Sequence, residues 1–322
     1  MKRYHLVHVT EFHYERPVSE SYNEVRLRPM HDDQQSCLSF RLATVPGSRA
    51  ITYQDAFGNW VHQVNVLASH QHLRVQAESA VLTHATPKQA WPLSLQELDA
   101  QREKVYDEFY DFLVPTPYVP LLPQLQGLVH EAEQQSEGNA GQFAQAASDL
   151  IHRRFQYVKG ATHVHSSIAD SLSMGVGVCQ DFAHLLLGVV RKRGLPARYV
   201  SGYLVPEGNP SAEAKQQEVI GGQASHAWTE VYIPGCDWIP LDPTLGSPVQ
   251  LRHVRIAYGR DYDDVAPLRG VYKGYAGQRL SVDVSVRPAI SEDGHEQLSE
   301  PGAGPTQEEV AEPQAQQVQQ QQ

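Results

Sequence analysis

Short runs of β-branched and aromatic residues fill the first part of the chain. The most regular runs cover residues 4–14, 51–54, 60–67 and 72–82. Turn clusters such as Pro46-Gly47-Ser48 and Phe57-Gly58-Asn59 separate them. Such runs with turn residues between them predict an all-β domain, a sandwich, over residues 1–85.

Prolines interrupt the next part of the chain. Between residues 86 and 120 they are Pro87, Pro92, Pro115, Pro117 and Pro120. Proline breaks the interior of a helix and disfavours the helical conformation in the residue before it. We therefore predict that residues 86–120 form a proline-rich linker laid over the surface.

The spacing of apolar residues becomes helical after Cys179. Positions i, i+3, i+4, i+7 and i+8 form one stripe of a helix, namely Phe182, Leu185, Leu186, Val189 and Val190. Arg191-Lys192-Arg193 suits the negative end of the helix dipole, and Gly194 suits a left-handed stop. Pro196 prevents continuation. The pattern predicts a helix from Cys179 to Arg193.

Helices come first and strands follow in the second half of the chain. Residues 121–137 and 142–155 contain few helix breakers and also predict helices. Strand-like runs cover residues 197–205, 225–233, 237–242, 253–258 and 280–286. This order predicts an α+β domain over residues 121–290.

Residues 291–322 are rich in Gln, Glu, Pro and Gly and hold much of the net charge of −11. Such a segment buries too little apolar surface to order itself, so we predict a disordered acidic tail. Residues 1–290 carry 30 acidic and 26 basic residues and are nearly neutral. Without a basic patch or a phosphate-binding glycine motif, we expect no nucleic-acid partner. No apolar run approaches the ~18 residues of a membrane span, so we expect no membrane association.

The three cysteines, Cys37, Cys179 and Cys236, are isolated from one another. Their number and spacing do not suggest a disulfide framework. The first residues also lack the apolar stretch of a signal peptide. We therefore expect a reducing, cytoplasmic location.

Cys179 follows Gly175-Val176-Gly177-Val178 at the start of the predicted helix. Free backbone N–H groups and the positive end of the helix dipole stabilise a thiolate at such a position. The glycines allow a tight turn and the approach of a substrate, and the Cys179 N–H could help bind an oxyanion. The alternative interpretation is a small, inert core residue.

His226 lies at the start of a predicted strand that is separated from the next one only by Pro234-Gly235. We expect the two strands to form a hairpin that brings Asp242 beside His226. Cys179 would then attack the substrate, and His226 would hold its proton and later protonate the leaving amine. Asp242 would fix the imidazole tautomer, which completes a Cys-His-Asp triad.

Four motifs resemble those of the bacterial transglutaminase-like superfamily. They are Gly177-Val178-Cys179-Gln180-Asp181-Phe182-Ala183-His184, the stretch over residues 194–203, Ser225-His226-Ala227-Trp228 and Leu241-Asp242-Pro243-Thr244. Residues 259–267 and 270–272 resemble the segment that closes this core, and residues 1–85 resemble its N-terminal β domain. The resemblance implies a papain-like core with Cys179, His226 and Asp242 as the triad, and acyl transfer at amide bonds. Bacterial members of this architecture are generally regarded as candidate cysteine proteases.

Which side chain stabilises the oxyanion stays open at this point. Tyr157 and Gln180 are candidates, although a packed aromatic and a first-turn surface residue are their ordinary interpretations. Trp228 is a candidate wall of the substrate site, together with Trp238 and Tyr203.

We favour hydrolysis of peptides or isopeptides, with a peptide or protein as the partner and water as the acceptor. Cross-linking of glutamine to amines is the alternative, and it usually needs an apolar, partly acidic channel. Glu230 and Asp237 are acidic candidates for such a channel, but a strand face and a turn explain them equally well. A non-catalytic transglutaminase-like binding protein is a further alternative. The oligomeric state stays unknown.

Histidine pairs occur at His70/His72 and His163/His165. Neither has a cysteine or carboxylate at a helical ligand spacing, and the zinc-protease motif is absent. We therefore expect no metal and no cofactor.

Overall fold

The computed structural model of this chain describes residues 1–85, 90–205 and 225–289. The predicted tail over residues 291–322 lies outside this part of the chain. The first five strands are β1 (Lys2–Val25), β2 (Gln35–Val45), β3 (Ile51–Gln54), β4 (Trp60–Val66) and β5 (His70–Thr83). They pair in the order β2-β5-β1-β4-β3, which confirms the predicted all-β N-terminal domain.

The long strand β1 joins the two halves of this domain. Its first part pairs with β5, where Phe12 lies opposite Leu73, and its last part pairs with β4, where Val25 lies opposite His62. Apolar side chains from both halves form one buried core, including Phe12, Tyr14, Val25, Val64, Leu73 and Val75. The two halves are therefore stabilised by the same hydrophobic cluster.

Two strands near the C-terminal end return to the N-terminal sheet. β13 (Leu268–Lys273) pairs antiparallel with the last part of β1, and β14 (Gln278–Pro288) pairs with its first part. The sequence assigned both segments to the catalytic domain over residues 121–290, and that assignment is wrong for them. The physical reason is that each part of β1 has a second edge whose backbone groups need a partner, and β13 and β14 supply it.

The second domain contains the helices and the remaining strands. The helices are α1 (Leu95–Ala100), α2 (Arg102–Phe109), α3 (Gln126–Gln135), α4 (Ala140–Arg154), α5 (Ile168–Met174), α6 (Cys179–Arg193) and α7 (Tyr262–Val265). The strands are β6 (Gln156–Tyr157), β7 (Val176–Gly177), β8 (Ala197–Leu204), β9 (Ser225–Ile233), β10 (Asp237–Asp242), β11 (Ser247–Pro248) and β12 (His253–Gly259). The five strands of the larger sheet follow the order β11-β10-β9-β8-β12, and β6 and β7 pair separately. The predicted α+β class is confirmed.

The predicted linker over residues 86–120 contains two helices that proline spacing did not suggest. Ser94 caps α1, because its side chain accepts a hydrogen bond from the Glu97 N–H at 3.1 Å and Glu97 accepts one from the Ser94 N–H at 2.9 Å. Leu95, Leu98 and Val105 are buried in the core of the second domain. The prolines flank these helices, so this region is part of the domain and not a surface linker.

Helix α6 has the bounds that the apolar stripe predicted, and Gly194 ends it with φ 98°. The helix is buried on nearly all sides and contacts β8, β9, α3 and α4. The Thr229 hydroxyl donates a hydrogen bond to the Ala183 carbonyl at 3.0 Å and fixes β9 against the helix. No helix of the described residues is both long and apolar enough to cross a membrane.

Candidate active site

Cys179 is the first residue of α6, and the loop before it is held by hydrogen bonds to Asp181. The Asp181 carboxylate accepts the Val178 N–H at 2.8 Å and the Thr162 hydroxyl at 2.6 Å. A Cβ atom at Gly177 would lie 2.8 Å from the Asp181 Cβ, so only glycine fits there. Asp181 therefore positions the turn that presents the Cys179 thiol.

The structure brings His226 and Asp242 together as the hairpin predicted. β9 and β10 pair through Trp238 and Tyr232, and the His226 Nε2–H donates a hydrogen bond to Asp242 Oδ2 at 2.8 Å. The Cys179 side chain lies beside His226 in the cavity and contributes to the raised pKa of the imidazole. Because Nε2 is engaged by Asp242, Nδ1 is the nitrogen left for the thiol. The three side chains form a continuous relay.

The charges of the relay stabilise one another. Burial lowers the pKa of His226, but the Asp242 carboxylate and the Cys179 side chain outweigh burial and raise it to about 10. Burial raises the pKa of Asp242, but His226 and His253 outweigh burial and hold it well below its usual range. Near neutral pH His226 is therefore the positive member of the relay and Asp242 a negative one.

A second histidine contacts the same carboxylate, and the sequence analysis missed it. The His253 Nε2–H donates to Asp242 Oδ2 at 3.1 Å, and the Gln250 N–H donates to His253 Nδ1 at 3.1 Å. Asp242 Oδ1 accepts the Thr244 and Leu245 N–H groups at 2.9 and 3.2 Å. The Asp242 carboxylate is therefore the acceptor in each of these hydrogen bonds. In the sequence, the only feature that distinguishes His253 is its position at the start of a predicted strand.

His226, Asp242 and His253 also have their possible ligand atoms within 4.8 Å of one another. A metal on His253 Nε2 would require the proton of that nitrogen to leave. Its other nitrogen, Nδ1, already accepts the Gln250 N–H, so the proton cannot move there. The directions of the hydrogen bonds therefore favour a proton relay over a metal centre at this position.

A second group of possible ligands lies on the N-terminal sheet, where the sequence predicted no metal. His13 on β1 lies opposite His72 on β5, and the ligand atoms of Glu11, His13 and His72 are within 4.8 Å of one another. The Glu11 carboxylate already pairs with Arg74 at 3.1 Å. That ion pair competes with a cation for the carboxylate, so we assign no metal here.

Two of the three predicted oxyanion or substrate candidates lie near Cys179. Tyr157 pairs with Gly177 across β6 and β7, and burial and the nearby Cys179 raise its pKa far above the usual range. It therefore keeps its proton and can donate it in a hydrogen bond. The Gln180 side chain lines the cavity at Cys179, but its Nε2 donates to the Val164 carbonyl at 2.9 Å.

Trp228 lies behind the site and not in it. Its ring is fully buried, packs edge-on against His253 at 5.3 Å, and occupies the space that a Cβ of Gly202 would need. Trp238 lies elsewhere, with the Arg198 guanidinium 4.1 Å above its ring. Of the three aromatic walls that the sequence suggested, Tyr203 lines the cavity and the other two do not.

A cavity of about 40 Å³ lies beside Cys179, between the two domains. Its described lining includes no Asp, Glu or Lys. Glu230 is buried between Arg198 and Arg255, and Asp237 lies exposed in the hairpin turn. The acidic candidates for an amine channel are therefore absent from the described lining.

We expect iodoacetamide to alkylate Cys179 at least about tenfold faster near pH 7 than Cys37 or Cys236. Cys179 lies at the N-terminus of α6 and lines the cavity next to His226, whereas burial raises the pKa of Cys37 and Cys236 is buried. Mass spectrometry of peptides from a labelling time course measures all three rates. His226→Ala should slow the labelling of Cys179 alone, and equal wild-type rates would contradict the assignment.

All three cysteines are free thiols in the structure. The cytoplasmic location, which the sequence analysis based partly on them, stays a prediction.

Known proteins are similar to this chain over most of its length. One relative, an uncharacterised protein of Mycobacterium leprae, is 35% identical over 286 residues, which are 89% of this chain and 99% of the relative. A protein-glutamine gamma-glutamyltransferase of Pseudomonas aeruginosa is 30% identical over 127 residues, which are 38% of this chain and 18% of the relative. A solved structure from Cytophaga hutchinsonii, described as a "Putative Cysteine Protease", has a TM-score of 0.67. It is 22% identical, and the match covers 90% of this chain and 92% of that one, so the two share a fold.

Two protein families match separate parts of the sequence. Residues 4–82 match the bacterial transglutaminase-like N-terminal region, and residues 127–243 match the transglutaminase-like superfamily. The second match contains Cys179, His226 and Asp242. The chain belongs to the transglutaminase-like superfamily and carries the N-terminal region of its bacterial members.

Proposed function

We propose that this protein hydrolyses amide bonds of peptides or isopeptides through a thioester on Cys179. The observation that carries the proposal is the placement of Cys179 beside His226, whose imidazole is hydrogen-bonded to Asp242. The relay lies beside a cavity at the N-terminus of a buried helix. In this arrangement a nucleophile lies next to a proton carrier, and the proton carrier lies next to an orienting carboxylate.

In the first half of the reaction, the Cys179 Sγ lone pair forms a bond to the amide carbonyl carbon. The carbonyl π electrons move to oxygen, and the Cys179 N–H and the Tyr157 hydroxyl are the candidate donors for that oxyanion. When the oxyanion collapses, the C–N bond breaks and the nitrogen takes the proton from His226 Nδ1. The amine leaves, and the acyl group stays on sulfur as a thioester.

In the second half, a water molecule attacks the thioester and gives its proton to His226. Collapse of the second oxyanion breaks the C–S bond, releases a carboxylic acid and restores the thiolate–imidazolium pair. Asp242 keeps the proton on Nε2 throughout, so that Nδ1 exchanges protons with the reacting groups. No cofactor is required for these steps.

We infer that water, and not an amine, is the acceptor because the cavity offers nothing to guide a lysine-like cation. Its described lining lacks carboxylates, and Glu230 is already neutralised by two arginines. A cationic amine would therefore enter the cavity without a counter-ion, which burial disfavours. A neutral water molecule incurs no such cost.

Cross-linking of protein glutamine to amines is the second candidate. The observation in its favour is the similarity to the Pseudomonas aeruginosa gamma-glutamyltransferase over 127 residues. Both reactions form the same thioester and differ in the molecule that resolves it. A non-catalytic binding role would apply if the thioester does not form at all.

We expect cleavage without amine incorporation when the protein is given a diverse peptide library and a fluorescent primary amine, separately and together. Mass spectrometry detects the cleaved peptides, and fluorescence detects the incorporated amine. Cys179→Ala should lose the cleavage, and it is the control for contaminating proteases. Amine incorporation that Cys179→Ala abolishes, with no cleavage of any peptide, would favour the transglutaminase instead. Absence of both reactions in the wild-type protein would favour the binding role.

A further inference from the structure

His253 contacts the triad carboxylate from outside the cavity. Its side chain is 1% exposed, and it is absent from the described lining of the cavity. The ring packs edge-on against the fully buried Trp228 at 5.3 Å. Both ring nitrogens are hydrogen-bonded, Nε2 to Asp242 and Nδ1 to the Gln250 N–H. None of the proton transfers proposed above uses this buried histidine.

The main chain fixes the tautomer of His253. The Gln250 N–H donates to Nδ1, so Nδ1 has to be unprotonated. Burial lowers the pKa of His253 below its usual value in spite of the nearby Asp242 carboxylate, so the ring is neutral near pH 7. A neutral imidazole with an unprotonated Nδ1 carries its proton on Nε2. His253 is therefore a neutral donor directed at Asp242 Oδ2.

Strand β12, which begins with His253, is held by side chains of the N-terminal domain. Gln35 binds the main chain of Arg255 twice, because Oε1 accepts the N–H at 2.8 Å and Nε2 donates to the carbonyl at 2.7 Å. Asn59 binds the main chain of Tyr258 in the same way, at 2.9 and 2.8 Å. These contacts fix the strand, so the position of His253 does not depend on the triad.

His253 completes the hydrogen bonds of the Asp242 carboxylate. Oδ1 accepts two main-chain N–H groups, and Oδ2 accepts the two imidazoles. A carboxylate oxygen has two lone pairs, so both positions at Oδ2 are filled. Without the donor on His253, Oδ2 would be held by His226 alone. His226 is the residue whose charge changes during the proposed reaction.

The second donor matters most once the thioester has formed. The leaving amine has then taken the proton of His226 Nδ1, and the imidazole is neutral. Its ion pair with Asp242 is lost, and a weaker hydrogen bond between a neutral donor and the carboxylate remains. His253 exchanges no proton in these steps, so its hydrogen bond to Oδ2 persists.

We propose that His253 is a positioning residue for amide hydrolysis, because its Nε2–H holds Asp242 Oδ2 in line with His226 while His226 is neutral. The inference rests on the proposed function, since it adds a residue to that same site. The carboxylate is then fixed by the main chain at one oxygen and by a second histidine at the other. The N-terminal domain contributes to this geometry through its contacts with β12.

The first test compares two substitutions of His253 by steady-state kinetics. His253→Phe keeps a ring against Trp228 but removes the donor, and it should lower kcat by about 10- to 100-fold, the size of one hydrogen bond to a charged group. KM should not rise, because His253 does not line the cavity. His253→Gln places an N–H donor near the position of Nε2 and should recover most of the lost kcat. Wild-type kcat in a folded His253→Phe overturns the proposal, and so does a His253→Gln variant as impaired as His253→Phe.

His70→Phe is the matched control for these substitutions. His70 is also buried, with Nδ1 hydrogen-bonded to the Ala68 carbonyl at 2.9 Å and Nε2 to the Ser21 hydroxyl at 3.1 Å. It packs edge-on against Tyr14 at 5.6 Å and does not line the cavity. This variant should keep the wild-type kcat. A loss of kcat equal to that of His253→Phe would show a general effect of removing a buried imidazole and would overturn the specific role of His253.

NMR of ring-labelled histidines separates this inference from the proposed hydrolysis. Cys179→Ala removes the thiolate and leaves His226 without an anionic partner at Nδ1, as in the thioester. Above the pKa of His226 in this variant, the neutral imidazole should keep its proton on Nε2, and adding His253→Phe should give a mixture of both tautomers. That result supports the inference even if the wild type cleaves nothing and the proposed function fails.

Two NMR outcomes overturn the inference and leave the hydrolase standing. The first is an unchanged tautomer of His226 in the double variant, whether or not the wild type hydrolyses peptides. The second is a wild-type His253 that is charged near pH 7 or protonated at Nδ1, and this outcome needs no variant to fold.

Discussion

Asp242→Asn should lower kcat/KM for amide hydrolysis by about 10⁴-fold, the loss expected when a triad histidine is left in the wrong tautomer. The Asp242 carboxylate accepts hydrogen bonds only: from His226 and His253 at Oδ2, and from two backbone N–H groups at Oδ1. An asparagine has one oxygen and one NH₂ group, so one pair of donors would face another donor. The backbone donors cannot change, and the amide oxygen therefore turns towards them.

The NH₂ group of Asn would then face the two imidazoles. His226 can accept a hydrogen bond at Nε2 only if its proton moves to Nδ1, the nitrogen that has to take the proton of Cys179. His253 cannot adapt in this way, because the Gln250 N–H already occupies its Nδ1. The substitution therefore removes the proton acceptor for the thiol and leaves one unfavourable donor–donor contact.

Asp237→Asn is the matched control for this prediction. Asp237 begins the same strand, β10, but is exposed and has a φ of 64°, a conformation that asparagine also adopts readily. Steady-state kinetics of both variants, with circular dichroism to check folding, measure the difference. Asp242→Asn with activity near that of the wild type would show that Asp242 does not orient the nucleophile's base.

The parts of the site that local sequence determines could be predicted. The start of α6 followed from an apolar stripe that begins after Cys179 and ends before Gly194, and the structure has the same bounds. The approach of Asp242 to His226 followed from the short connection between two strands, since such a connection leaves a hairpin as the simple arrangement. In each case the decisive contact lies within a few residues of the pattern that predicts it.

Contacts between distant parts of the chain could not be predicted in this way. β14 pairs with β1 although most of the sequence lies between the two strands. A strand pattern does not specify which free sheet edge a strand will occupy. His253 lies only 11 residues after Asp242 in the sequence, but β9 and β8 separate β10 from β12 in the sheet, so strand pairing did not suggest this contact. Arg26, which follows β1, lines the cavity from the N-terminal domain, and no motif in the surrounding sequence marks it.

Glu230→Gln should destabilise the protein by about 3–5 kcal/mol, the cost of removing one partner from a buried ion pair. Glu230 is 1% exposed. It accepts hydrogen bonds from Arg198 at 2.6 and 2.7 Å and from Arg255 at 3.3 Å. Burial raises the pKa of Glu230, but the two arginines outweigh burial and hold it below the usual range. The stabilisation is therefore present above the unfolded-state pKa and is lost as the pH falls through the lower pKa of the folded state.

The effect should be unequal for the two arginines. Arg255 also pairs with Asp32 of the N-terminal domain and keeps that partner, whereas Glu230 is the carboxylate that pairs with Arg198 in the described structure. Glutamine preserves the volume of the side chain, so the loss reports the uncompensated charge of Arg198 and not a cavity.

Thermal unfolding near pH 7 measures the loss from Glu230→Gln, which should lower Tm by roughly 10 °C for a chain of this size. Glu131→Gln is the matched control, since Glu131 pairs with Arg154 at the surface and its loss should cost at most about 1 kcal/mol. Activity per folded molecule, measured well below Tm, should be unchanged in Glu230→Gln because Glu230 does not line the cavity. An unchanged Tm together with a selective loss of amine incorporation would place Glu230 in an acceptor channel and would reverse the choice of water as the acceptor.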